Sequence, residues 1–471
     1  MPAAIESDPV PSLAQRRSIH VLGVGGPGMS AIASALVGMG HSVSGSDIVE
    51  SAVLDRLRSE GVVVSLGHSP DNIGVDVEFL AVSTAISEDN LEIVAARTRS
   101  LPVVRRTELL PALAAERRTI AVSGTHGKTT TSSMLALILL GAGLDPSFLI
   151  GGEISQLGTN AKWSDGEWFV LEADESDGSG FSIDHEALIV TNIEADHLEF
   201  HGSFENLYRA FERFVASTAG PVVLCADDPN TAQIARGMNA ITYGLSNEAT
   251  VRIVGLEGSR SGVDFKIVVG GDELGRVHVP VPGTHNALNA CAAIALALQL
   301  GVSFDHCVAA LAAFGGVGRR FEPKGEASGV VFVDDYAHLP TEIAAAISAG
   351  RDGDWGRLVV VFQPHRYSRT QTLWKDYADA FVDADLLVLT DIYAAGEAPR
   401  AGVTGQLIVD AVVAAHPEQV VMYAAERESL AKVLASELRT GDLCLTLGAG
   451  DITAWAATLP HELDKLAGAS A

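Results

Sequence analysis

The segment IAVSGTHGKTTT, residues 120–131, holds the arrangement best suited to chemistry. Gly124 and Gly127 flank Thr125 and His126, and Lys128, Thr129 and Thr130 follow at once. Glycine reaches backbone conformations that other residues resist, so successive N–H groups in such a turn can converge on an anion. A helix opening at the lysine points its partial positive end to the same place. Lys128 adds a full charge, and the Thr129 hydroxyl can hold a magnesium ion. The segment reads as a phosphate cradle for ATP. It departs from the strict P-loop, whose first glycine falls where this chain has Val122, and keeps the shorter Gly-Thr-X-Gly-Lys-Thr-Thr. The plain alternative is a strand–turn–helix corner with a surface lysine.

Two apolar runs downstream read as buried strands that carry acids at their C-terminal ends. Trp168–Asp174 delivers Glu172, Asp174 and Glu175; Ala187–Ile193 delivers Asn192, Glu194, Asp196 and His197. Ligands of open α/β sheets bind along that edge. Carboxylates crowded beside a phosphate cradle repel ATP unless a divalent cation sits between them. Thr129 and Glu172 are the first-choice ligands for magnesium, with manganese as a possible substitute. His197 would be an unusual ligand for so hard an ion, and capping of the next segment is its alternative role.

A second glycine turn lies near the start, in IHVLGVGGPGMS, where Gly23, Gly25 and Gly28 fit GxGxxG. Asp47 lies 19 residues beyond Gly28, after the expected strand His41–Gly45. This is the dinucleotide-binding fingerprint, a diphosphate on a helix N-terminus with an acid placed for a ribose hydroxyl. Taken alone it suggests a nicotinamide oxidoreductase, but a βαβ unit serves many nucleotides. Asn286 and Asn289 are three apart on an expected alanine-rich helix, so they share a face. Two amides there suit an adenine edge, or helix capping. His365, Arg366 and Arg369 follow the expected strand Leu358–Phe362 and form a carboxylate clamp, since arginine binds carboxylates bidentately. A surface basic patch is the plainer account.

These residues need sheets to hold them. A chain of 471 residues exceeds one ordinary core. Strand–turn–helix alternation recurs in three blocks, which predicts an α/β protein of three mostly parallel, doubly wound sheets with a P-loop-type central ATPase domain. The expected domains are residues 1–117 (1–16 lacking order), 118–317 and 318–471. A meander of short strands is expected over Val251–Pro282, and Gly315–Gly318 is the expected hinge into the last block. The net charge of −27, from 32 basic and 59 acidic side chains, argues against nucleic acid or an anionic membrane as partner. Four scattered cysteines without metal spacing read as buried thiols of a reducing compartment. With acids and prolines before any apolar run and no membrane-length stretch, the expectation is a cytoplasmic monomer or homodimer.

The strings GVGGPGMS, GSD, SGTHGKTT, EADESD, TNIEADH, HNALNA, GRRFE, DDYAH, FQPHRYSRT and DIYAAGE, in that order from about His20 to Asp451, resemble the Mur ligase family. Any one of them would be weak; the ordered set is specific. The resemblance implies that the first glycine loop (Gly25, Gly26, Pro27, Gly28, Met29, Ser30), with Asp47, His68, Ser83 and Thr84, binds a UDP-sugar and no dinucleotide. ATP falls to Gly124, Thr125, His126, Gly127, Lys128, Thr129 and Thr130, with Asn286, Asn289, Arg320 and Tyr336. Thr129, Glu172 and His197 match the metal residues, and Lys128, Glu172, His197, Arg320 and Asp335 the catalytic set. His338, His365, Arg366 and Arg369 match an alanine pocket.

The implied reaction is ATP-dependent ligation of L-alanine to the lactyl carboxylate of UDP-N-acetylmuramate, in peptidoglycan precursor synthesis. The lysine-free interval between Lys162 and Lys266 leaves no place for the carbamoylated lysine of other family members. Two positions depart from the family pattern: Leu339 replaces a second histidine after His338, and Pro27 replaces a small residue. The rivals are a sister ligase that attaches a recycled tripeptide, a nicotinamide oxidoreductase, and a non-catalytic ATP-binding module.

Overall fold

The structure, a computed structural model, describes residues 8–83 and 85–469. Three sheets organise it. The first comprises β1 (Ser18–Leu22), β2 (Ser42–Asp47), β3 (Val63–Leu66), β4 (Phe79–Val82) and β5 (Val103–Arg105), in the order β3-β2-β1-β4-β5 and parallel throughout. The chain reverses its direction of travel across the sheet between β1 and β4. Residues after their C-terminal ends, Gly23 and Ser83, therefore flank the crevice where such folds take ligands.

The second sheet has ten strands: β6 (Arg118–Ser123), β7 (Ser147–Ile154), β8 (Thr159–Lys162), β9 (Trp168–Glu172), β10 (Ala187–Val190), β11 (Val222–Cys225), β12 (Ile241–Gly244), β13 (Val251–Ser259), β14 (Gly262–Val269) and β15 (Asp272–Val279). Their order is β15-β14-β13-β12-β11-β10-β6-β9-β7-β8. β9 and β10 are near-continuous apolar runs, and β6 is buried after its first residue, because parallel strands are covered on both faces. β13 to β15 are the expected meander. The helix Lys128–Gly141 opens on Lys-Thr-Thr-Thr-Ser-Ser, turns apolar from Met134, and is buried from Thr129 to Ala136.

The third sheet holds β16 (Glu322–Ala327), β17 (Val330–Asp335), β18 (Leu358–Phe362), β19 (Leu386–Leu389), β20 (Val421–Tyr423) and β21 (Leu443–Leu447), in the order β16-β17-β21-β18-β19-β20. Only β16 runs antiparallel to its neighbour. The chain thus has the three-sheet α/β architecture expected from its sequence.

It forms two compact units, one of Met1–Val254, Ile267–Gly275 and Leu288–Leu311, the other of Gly255–Lys266, Arg276–Ala287 and Ala312–Ala471. Within the first, the helix Pro27–Gly38 packs against the β7–β8 hairpin. Asn160 donates its amide to Pro27 O (3.3 Å) and Ile150 O (3.1 Å), and a Cβ on Gly38 would lie 2.6 Å from Trp163 Cβ.

Order begins earlier than expected. Residues 8–16 carry a buried Leu13, and Asp8 receives the Val103 N–H at 2.9 Å while donating its own N–H to Val103 O. Residues 1–7 lie outside the description. All four cysteines are free and buried. Among the described residues no helix is long and apolar enough to cross a membrane.

Candidate active site

Gly124 (φ +127°) and Gly127 (φ +79°) occupy conformations that other residues rarely adopt. A side chain on the first would strike Thr191 Oγ1, and one on the second Asn289 Oδ1. Asn192 grips the turn between them. Its carbonyl accepts the Thr125 N–H (3.0 Å), its Oδ1 accepts the His126 N–H (2.9 Å), and its Nδ2 donates to His126 O (3.1 Å). This amends the expected nest, because the Thr125 and His126 amides are already taken. The donors offered to an anion are those of the first helical turn from Lys128, which have no acceptor within the helix.

Lys128 lies folded over the turn. Its Nζ donates to Gly124 O (2.7 Å), Thr125 O (3.1 Å) and Glu175 Oε2 (2.8 Å). Burial alone would pull the ammonium down, but Glu175, Asp174 and Glu172 together hold it above its ordinary value. Burial raises the Glu175 carboxyl, with Lys128 opposing. The cationic group is thus enclosed by acids.

Thr129 Oγ1 donates to Glu172 Oε1 at 3.1 Å, and Gly151 N–H donates to Glu172 Oε2 at 2.7 Å. A hydroxyl and a carboxylate side by side suit magnesium, which binds through one or two protein oxygens plus substrate phosphates. His197 is engaged elsewhere: at φ +52° it heads a short helix, with Nε2 3.2 Å from Asp196 Oδ2 and Nδ1 3.7 Å from Glu199 Oε1. Among the described residues no group of three or more His, Cys, Asp or Glu is disposed to hold a metal.

At the edge of the first sheet Gly25 N–H donates to Asp47 Oδ2 (2.8 Å), and Val49 N–H reaches Asp47 Oδ1 (3.2 Å). Asp47 thus braces the glycine loop. Pro27 is the first helical residue, where its fixed φ suits the helix and its missing N–H costs nothing. Its presence needs no special turn. Met29 and Ser30 are 2% and 1% exposed, and the Ser30 hydroxyl bonds Pro27 O, so neither reaches the open edge. His68 follows β3, and Ser83 follows β4 and receives the Ala85 N–H at 3.3 Å. Thr84 lies outside the described residues.

In the second unit Asp335 ends β17 and accepts the N–H groups of Phe321 and Ala337, both at 2.7 Å. Burial pushes its carboxyl up to about 6, with Arg320 opposing. Arg319 (φ +62°) and Phe321 (φ +47°) enclose Arg320 in a strained turn, and strain of this kind collects at functional sites. Arg319 donates to Gly448 O, and both Arg319 (4.7 Å) and Arg320 (5.1 Å) lie against the Tyr336 ring. His285, beside Arg320, is driven down to about 4, chiefly by burial.

His338 and His365 face each other at 6.0 Å between rings, and His365 stacks on Tyr393. Arg369 Nη1 donates to His365 Nδ1 at 3.0 Å, which requires that nitrogen to be unprotonated. Arg366 (φ +70°) caps the helix Tyr367–Leu373. Leu339 is 5% exposed, so the departure from the family pattern points into protein interior. Asn286 and Asn289 share the helix Thr284–Gln299; Asn286 Nδ2 bonds Pro282 O (2.7 Å), and Asn289 Oδ1 receives Thr131 Oγ1 (3.2 Å).

Three family models together match most of this chain: the Mur ligase family catalytic domain over residues 18–118, the Mur ligase middle domain over 122–297 and the Mur ligase glutamate ligase domain over 319–450. The chain belongs to the Mur ligase family. A UDP-N-acetylmuramate–L-alanine ligase of Geobacter sulfurreducens is 45% identical over 92% of this chain and 95% of that protein. The crystal structure of a UDP-N-acetylmuramate–alanine ligase from Thermotoga maritima superposes with a TM-score of 0.80 at 30% identity, covering 96% of this chain and all of that one. A murein peptide ligase from Psychrobacter arcticus shares the fold at a TM-score of 0.67 and 23% identity, over 95% and 99% of the two chains. Membership removes the oxidoreductase reading of GxGxxG.

This Mur ligase also carries a residue that sequence reading passed over. Arg106 opens the helix Arg106–Ala114, and a Cβ on Gly28 would lie 3.1 Å from its Nε. That nitrogen is buried without a hydrogen-bond partner, and the guanidinium helps hold the Asp174 carboxyl below its ordinary value against burial, after Lys128 and Ser176. No local motif marks it; only its neighbours across the chain do.

Proposed function

We propose that this Mur ligase joins L-alanine to the lactyl carboxylate of UDP-N-acetylmuramate with cleavage of ATP to ADP and phosphate, a cytoplasmic step of peptidoglycan precursor synthesis. Residues 1–117 hold the UDP-sugar, 118–317 the ATP, and 318–471 the amino acid. The observation that carries the reading is Lys128, held among acids over a turn built by Gly124 and Gly127. The full-length identity to named L-alanine ligases supports the substrate assignment.

In the mechanism a lactyl carboxylate oxygen attacks the γ-phosphorus, the bond to the β–γ bridging oxygen breaks, and ADP departs. Lys128 and the amides of its helix balance charge as it shifts toward that oxygen. The alanine amine then attacks the acyl carbon, phosphate leaves with the electron pair of the C–O bond, and the amine gives up a proton to solvent. Arg366 and Arg369 take the alanine carboxylate, with His338 and His365 lining its pocket. Arg320, Tyr336 and Asp335 serve the nucleotide, and Asn286 and Asn289 its adenine. Magnesium, held by Thr129 and Glu172, would supply charge neutralisation at the phosphates. No side-chain nucleophile is needed; positioning supplies much of the rate.

The test is phosphate release with UDP-N-acetylmuramate present and only the amino acid varied. L-Alanine is expected to drive release far better than a murein tripeptide. Tripeptide preference would favour the sister ligase, and release that ignores the amino acid would overturn both.

A further inference from the structure

Beneath the ligand edge of the first sheet lies a buried carboxylate that the mechanism does not use. Glu92, on the helix Leu91–Thr98, is fully buried. Its Oε1 accepts the Ser69 N–H (3.0 Å) and Asn72 Nδ2 (2.6 Å). Its Oε2 accepts Ser46 Oγ (2.6 Å) and contacts His20 Nε2 (3.3 Å). Asn72 Nδ2 also bonds Gly67 O at 2.9 Å, so the loop carrying His68 is closed onto this one group. A buried charge persists only when it is so fully satisfied.

The network dictates which nitrogen of His68 carries a proton. Ser46 has a single hydroxyl hydrogen, and its 2.6 Å bond to Glu92 uses it. Ser46 Oγ also lies 3.1 Å from His68 Nδ1. In that contact the hydroxyl can only accept, so Nδ1 carries the hydrogen. In the neutral form of the ring, Nε2 is then unprotonated, an acceptor and no donor.

We infer that Glu92 is a positioning residue that acts through Ser46 to present His68 Nε2 as a hydrogen-bond acceptor for a donor group of the nucleoside, a ribose hydroxyl or the base imide N–H. The inference rests on the reading of this edge as the UDP-sugar site. In the neutral form of the ring, phosphate oxygens, which are acceptors, find no donor at Nε2. Specificity follows: a site built around that acceptor discriminates against an analogue that lacks the donor.

The experiment uses the full-length enzyme. The ¹⁵N shifts of His68 are expected to report the Nδ1–H tautomer, and an Nε2–H tautomer would overturn the proposal. Glu92→Gln places amide hydrogens among four donors, and Ser46→Ala breaks the relay while leaving the carboxylate. Each is expected to raise the KM for UDP-N-acetylmuramate about tenfold or more, with the ATP KM unchanged. In a His68→Ala background, adding Glu92→Gln should change that KM no further. A merely structural Glu92 would move both KM values, or add to His68→Ala, and either result sinks the idea. UDP analogues methylated at N3 or lacking the 2′-hydroxyl tell the two donors apart; equal binding of both to wild type and to His68→Ala would also overturn it. Wild-type enzyme that releases no phosphate with UDP-N-acetylmuramate would fault the proposed function; normal wild-type turnover with insensitive variants would fault only this inference.

Discussion

Lys128→Ala is expected to lower turnover at least about a hundredfold, the scale of removing one preorganised charge donor. The effect is large because of what remains. Glu172, Asp174 and Glu175 all act on the ammonium, so its loss leaves acids facing an incoming triphosphate. The helix amides still bind, but a partial charge of about half a unit does not offset that repulsion. The variant also strands a buried Glu175, which is 1% exposed. Burial already raises that carboxyl, so it can take up a proton instead of remaining an unpaired charge. Thermal unfolding run beside the kinetics separates lost chemistry from lost fold. Near-normal turnover in a folded Lys128→Ala protein would break the assignment of the cradle.

Arg369→Ala is expected to raise the alanine KM by roughly 10- to 150-fold while leaving the ATP KM alone, since a hydrogen bond to a charged group contributes about 1.5–3 kcal/mol. The guanidinium makes two contributions. It offers donors to a carboxylate, and through Nη1 it occupies His365 Nδ1, which fixes the tautomer of that ring. Equal effects on alanine and ATP would mean that the clamp is misplaced.

A pH corollary follows from the same geometry. Burial first, then Arg369, His338 and Arg366, drive His365 from 6.5 down to about 3. It is therefore neutral at any pH an assay would use. The unfolded chain protonates this histidine first as pH falls below about 6.5. Its contribution to stability is thus present above that pH and is lost on acidification toward pH 3. Between pH 5 and 8, kcat/KM for alanine should show no inflection that His365→Gln abolishes; such an inflection would contradict the buried, arginine-bonded ring.

The resemblance to the family, the three-sheet architecture and the ordering of motifs along strand ends were all readable in the linear chain. Each depends on contiguous residues. Glycines at 124 and 127 permit a left-handed backbone wherever they sit, and an apolar run bounded by turn residues becomes a buried strand. Partnership is another matter. Asn192, 66 residues beyond His126, takes the amides that local reasoning had offered to phosphate, because β10 lies beside β6. Glu175 claims Lys128 because β9 flanks β6 on its other side. Met29 and Ser30 fit a loop motif yet face inward, since the helix beginning at Pro27 turns that side against its neighbours. Arg106 beside Gly28, and Glu92 beneath His68, are visible only after folding. Sequence sets the backbone conformations and hydrophobic periods that choose the fold; hydrogen bonds between distant side chains follow from which strands become neighbours, and that adjacency is decided by the packing of the whole sheet.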